Sequence, residues 1–109
     1  MSLDKLIEAV QAGDDDAVLT IAYKMSSAAR DKGEHFPEDD VIKAYFHNSI
    51  DAAKALHDAL HPGVRVEIFG PVDGDWGVNL PEIDTVFGPN LARAWLLAIL
   101  KAKQAEGRG

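Results

Sequence analysis

The stretch "GVRVEIFGPVDGDWGVNLPEIDTVFG" (63–88) decides the fold, because here the hydrophobic period is two. Val64, Val66 and Ile68 alternate with Arg65, Glu67 and Phe69, as in a half-buried strand. PVDGD (71–75) is a cluster of turn formers. Trp76, Val78 and Leu80 then alternate with Gly77 and Asn79. Pro81 cannot donate to a ladder and marks a boundary or a bulge. A third strand follows if Ile83, Thr85 and Phe87 alternate with Glu82, Asp84 and Val86. The connections are too short for parallel crossovers, so the expectation is a three-stranded antiparallel meander over about 64–87.

Outward from this block the period becomes helical on both sides. Downstream, Asn90 is a helix cap, and "NLARAWLLAIL" (90–100) opens a helix expected to reach about Gln104. Leu91, Trp95, Ala98, Ile99 and Ala102 share one face, yet Leu96, Leu97 and Leu100 lie on the other beside Arg93, Lys101 and Gln104. A helix apolar all round is buried on more than one side. Either it lies between the sheet and the N-terminal helices, or its outer leucines meet a second chain. The tail AEGRG (105–109) is expected to fray.

Upstream, Asn48-Ser49 caps a helix over about 49–60 with Ala52, Ala53, Leu56, Ala59 and Leu60 inward, stopped by Pro62-Gly63. Residues 3–11 place Leu3, Leu6, Ile7 and Val10 at helical spacing. A second helix begins at Asp14 to Asp16 and buries Val18, Ile21, Ala22, Met25, Ala28 and Ala29, ending near Gly33. Pro37 before Glu38-Asp39-Asp40 reads as a helix start with Val41, Ala44 and Tyr45 inward, although an irregular connection fits equally well. Phe36, Tyr45 and Phe46 are expected to pin it to the core.

The order is α+β: a meander packed between an N-terminal helical region (1–47) and helices about 49–60 and 91–104, an α/β/α-like sandwich in one domain of 109 residues. Such a chain buries roughly 65% of its unfolded surface. It holds 47% apolar and 27% charged residues, near the globular average. With no cysteine there is no disulfide, thiolate site or cysteine nucleophile, which fits a reducing cytosol. A net charge of −7 repels phosphate backbones, so direct nucleic-acid binding is not expected. MSLDKL does not read as a signal peptide, and no apolar run approaches a membrane span.

Chemistry-bearing residues are few. His57 and His61, four apart, have the spacing to share a metal, but Asp58 faces elsewhere and His35 and His47 are unplaced. His61 also suits the negative end of a helix dipole. Asp73-Gly74-Asp75 lacks the spacing and the twelfth-position glutamate of a calcium loop and reads as a hairpin turn. Asp14 to Asp16 and Glu38 to Asp40 sit at helix starts, where the dipole accounts for them without acid–base work. Ser26, Ser27 and Ser49 lack a nucleophile setting, and Gly88-Pro89-Asn90 is no phosphate loop. Phe69 and Trp76 are either binding anchors or edge packing. No catalytic residue and no cofactor are expected.

The stretches "SIDAAKALHDALHPGVRVEIFG" (49–70), "DWGVNL" (75–80) and "NLARAWLLAIL" (90–100) resemble small bacterial and prophage proteins of unknown function, the phage α/β/α-sandwich family. That pattern has an S-x-D-A-A-x-A-L helix, a glycine, a short meander and a closing A-R-A-W-L-L-A-I-L helix, while residues 1–47 lie outside it. The resemblance implies a sheet with helical layers and a phage or prophage origin, hence a bacterial cytoplasm. It brings no catalytic residues. Three functions are weighed. The first is a non-enzymatic domain for protein contact or homodimerisation, with Leu96, Leu97, Leu100, Phe69 and Trp76 as its surface. The second is an acidic inhibitor or decoy of a nucleic-acid-binding protein, and the third a small enzyme.

Overall fold

In a computed structural model, which describes residues 2–81 and 83–108, the chain is α+β, with five helices and one three-stranded antiparallel sheet. Helix α1 spans Ser2–Ala12 and buries Leu6, Ile7, Ala9 and Val10. Gly13 stops it: at a φ of +70° it turns left-handed, and Gly13 and Asp14 N–H donate to the carbonyls of Val10 and Ala9. The Asp14 carboxylate then accepts from Ala17 N–H and caps α2, Asp15–Asp31. Its buried line is Val18, Ala22 and Ser26, with Ile21 and Met25 half-buried; Ala28, expected inside, is exposed. The segment after Pro37 is a helix, α3, Glu38–Phe46, with Val41, Ala44 and Tyr45 buried. Phe36 packs against the core, whereas Phe46 stays exposed instead of anchoring the segment.

Ser49 Oγ accepts from Ala52 N–H and caps α4, Ile50–Leu60. His57 is buried on α4 beside Ala52, Ala53 and Leu56, while Ala59, expected inside, is exposed. The meander follows as β1 (Glu67–Val72), β2 (Asp75–Asn79) and β3 (Val86–Gly88), in the order β1-β2-β3. The first turn is tighter than the PVDGD cluster implied. Pro71 and Val72 belong to β1, and only Asp73 and Gly74, at φ +53° and +88°, make the corner.

Two strand expectations need correcting. Every residue of β1 is exposed, so Ile68 is not inward as the alternation predicted, and Val64 is exposed as well. The cause is position: β1 is an edge strand, and the covering helix packs chiefly on β2 and β3. The third strand is shorter and in the opposite phase, with Val86 buried and Phe87 exposed. Val86 pairs with Val78, and directly opposed residues share a face. The Asn79 side-chain amide donates to the Ile83 carbonyl and to Thr85 Oγ1, holding 83–85 outside the ladder.

Asn90 Oδ1 accepts from Arg93 N–H and starts α5, Leu91–Arg108. This helix is the middle layer. It packs against α1, α3 and α4 on one side and against β2 and β3 on the other. Leu96, Leu97 and Leu100 are all buried within this one chain, so the intramolecular arrangement holds; Leu96 and Leu100 offer no surface to a partner, and Leu97 reaches only the floor of a cleft. Helix α5 runs on to Arg108, past the end expected near Gln104, and Gly109 of the tail lies outside the described residues. Near that end Glu106 lies 3.3 Å from Lys103 Nζ of the same helix and 3.6 Å from His61 Nδ1.

Candidate functional site

The expected metal pair, His57 and His61, is brought together, with ring centroids 6.1 Å apart and both side chains buried. Their nitrogens are already engaged. Trp95 Nε1–H donates to His57 Nδ1 at 3.2 Å, and an indole can only donate. The ring proton of His57 therefore sits on Nε2, which donates to the Val64 carbonyl at 2.7 Å. His61 Nε2 lies 3.1 Å from the Ile99 carbonyl. The pair thus ties the end of α4 to α5 and to the chain entering the sheet. Asp58 pairs with Lys54 instead, and no group of three metal-ligating side chains occurs among the described residues.

The two acidic runs do not converge. Asp14 to Asp16 flank the start of α2, whereas Glu38 to Asp40 share a surface depression with Arg30 and Lys43 near its end. Asp15 has a specific partner, for it accepts from the Tyr45 hydroxyl at 2.7 Å. Arg93 lies over the Tyr45 ring, 4.4 Å from its centroid. Burial and the bond to Asp15 push the Tyr45 phenol up to about 12, against the opposing pull of Arg93.

The sheet carries the exposed apolar surface. Phe69 pairs with Gly77, and Gly77 with Phe87, so the three form one row across the outer face. The two rings flank the glycine: a Cβ at Gly77 would stand 3.1 Å from Phe87 Cε1 and 3.4 Å from Phe69. Phe69 is 44% exposed and Phe87 56%. Ile68 and Val72 of β1 are exposed as well. Of the two aromatics singled out from sequence, Phe69 is therefore on the surface, while Trp76 is half-buried and packs against the core. Ile68, Val72 and Phe87 were missed as surface groups. Phe87 could have been found by fixing the third strand's phase on the Val86–Val78 pair rather than on Ile83.

A cleft of about 450 Å³ opens on the other edge of the sheet, where the end of α1, β3 and α5 meet. Arg93 and Lys101 both line it. In the sequence they read only as polar breaks in an apolar helix. No described helix is long and apolar enough to cross a membrane. No family model, curated protein or solved structure matches the chain.

Proposed function

We propose that the chain is a non-enzymatic interaction domain, working in the cytosol, which self-associates through the outer face and free edge of its sheet. The observation that carries this reading is the concentration of exposed Phe69, Val72 and Phe87 on the outer face of one small sheet, beside an edge strand that is exposed throughout. Contiguous exposed apolar surface of this kind marks interaction sites. An unpaired edge strand beside it is a template for another strand. A second copy is the simplest partner, because an antiparallel edge meeting its own image satisfies twofold symmetry without any other chain. The enzyme reading has less support, since the ring nitrogens of His57 and the Nε2 of His61 are committed to structural bonds. The decoy reading suffers from the separation of the acidic runs and from the cations placed beside one of them.

Sedimentation equilibrium over a wide concentration range tests the proposal. The wild type should dimerise, and Phe69→Glu should yield a monomer with unchanged thermal stability. A wild type that is monomeric throughout would overturn it.

A further inference from the structure

The second edge of the sheet belongs to β3, which pairs only with β2. Along its free side the cleft holding Arg93 and Leu97 continues into a second depression of about 720 Å³ lined by Ile83, Asp84 and Gln104. Thr85, Val86 and Lys101 line both, so the two form one groove. One wall is a strand edge and the other is helix α5. Extended peptides bind in such settings by adding a strand, with main-chain bonds giving affinity and side chains giving selectivity.

The helix wall has a definite spacing. Arg93, Leu97 and Lys101 are successive i, i+4 positions that all line the groove, so their origins rise by about 6 Å each. In an extended chain, side chains on one face recur at every second residue, about 6.7 Å apart. The two repeats match over three positions. A segment reading acid–x–apolar–x–acid would set one carboxylate against each cation and its apolar residue over Leu97.

Charge supports the same assignment. Neither Arg93 nor Lys101 takes part in an ion pair among the described residues, although the chain is strongly acidic. Arg93 Nε is buried with no hydrogen-bond partner, and the guanidinium is held in place by the Tyr45 ring. Such a fixed fork loses little freedom on meeting a carboxylate. The nearby carboxylates are otherwise engaged: Asp14 caps α2, Asp15 takes the Tyr45 hydroxyl, and Asp4 takes the Gln104 amide. Asp84 is exposed at the Gln104 end and disfavours a third acid there.

We propose that this groove seats an extended acidic segment of a partner protein, of the pattern acid–x–apolar–x–acid, as a strand added to β3 and read by Arg93, Leu97 and Lys101. The proposal deepens the interaction reading but uses a different edge of the sheet, so the two can fail separately.

Fluorescence anisotropy with a labelled Glu-Thr-Val-Thr-Glu peptide, titrated with the full chain, tests it. The acidic peptide should bind saturably and more weakly as salt rises, and a Lys-Thr-Val-Thr-Lys peptide should not bind. Lys101→Glu should weaken the acidic peptide roughly tenfold, the scale of turning one close attraction into repulsion. One of the two peptides with a single glutamate changed to lysine should then regain affinity for that variant, which a merely unfolded protein could not provide. Methylating the central backbone amides should abolish binding. Absence of saturable binding, or equal affinity for wild type and Lys101→Glu, would overturn the proposal. So would loss of binding in Phe69→Glu, which would place the peptide on the outer sheet face.

Discussion

The Tyr45 hydroxyl, buried between α3 and the start of α2, gives the most direct solution test of the packing. Its phenol is pushed up to about 12 by burial first and by the bond to Asp15 second. Below pH 10 the folded and unfolded chains both keep this proton, and its full contribution to stability is present. Between 10 and about 12 only the folded chain keeps it, so stability should fall with rising pH across that window. In Tyr23→Phe, where Tyr45 is the sole tyrosine, ultraviolet absorbance should show a midpoint near 12, and Tyr45→Phe should remove that alkaline slope. A midpoint near 10 would mean that the ring is not buried. Gly88 is the second informative position. A Cβ there would stand 3.0 Å from Ala94 N and 3.1 Å from its Cα, both backbone atoms of α5 that cannot swing aside. Gly88→Ala should therefore destabilise the protein by about 1–3 kcal/mol in urea unfolding, the usual cost of overpacking.

Among the elements, the helices were legible in the sequence and the strands only in part. Asp14, Ser49 and Asn90 each announce a helix start, and each side chain caps the helix it precedes. Those signals are local, being hydrogen bonds three residues long. Strand burial is not local. The alternation in VRVEIFG is real, but whether it faces a core depends on what covers the sheet, and α5 packs chiefly on β2 and β3. The third strand went wrong for a related reason: its phase is set by Val78 across the ladder and by the Asn79 side chain, neither of which is readable from Ile83, Thr85 and Phe87 themselves. The candidate site suffered most. Phe69 could be picked out as an aromatic, but Arg93 and Lys101 acquire meaning only once β3 lies alongside them. His57 shows the converse, since its spacing from His61 looked like chemistry while its nitrogens hold Trp95 and Val64.

For the whole molecule, α5 is the common wall of two half-cores, one against the N-terminal helices and one against the sheet. Leu100→Ala should accordingly cost roughly 2–5 kcal/mol, the usual range for emptying a buried leucine site. It should also melt both halves together, so that circular dichroism and the fluorescence of Trp76 and Trp95 give superimposable transitions; separated transitions would show two independent units. The same arrangement has a bearing on biosynthesis. The element against which α1, α3 and α4 close is the last of this domain to leave the ribosome, and the side chain of Asp4 near the start meets that of Gln104 near its end. Until translation has passed roughly that point, four finished helices and a hairpin carry greasy faces that only α5 completes. The nascent chain should thus stay open to chaperones and proteases for most of its synthesis, and collapse in a single late step.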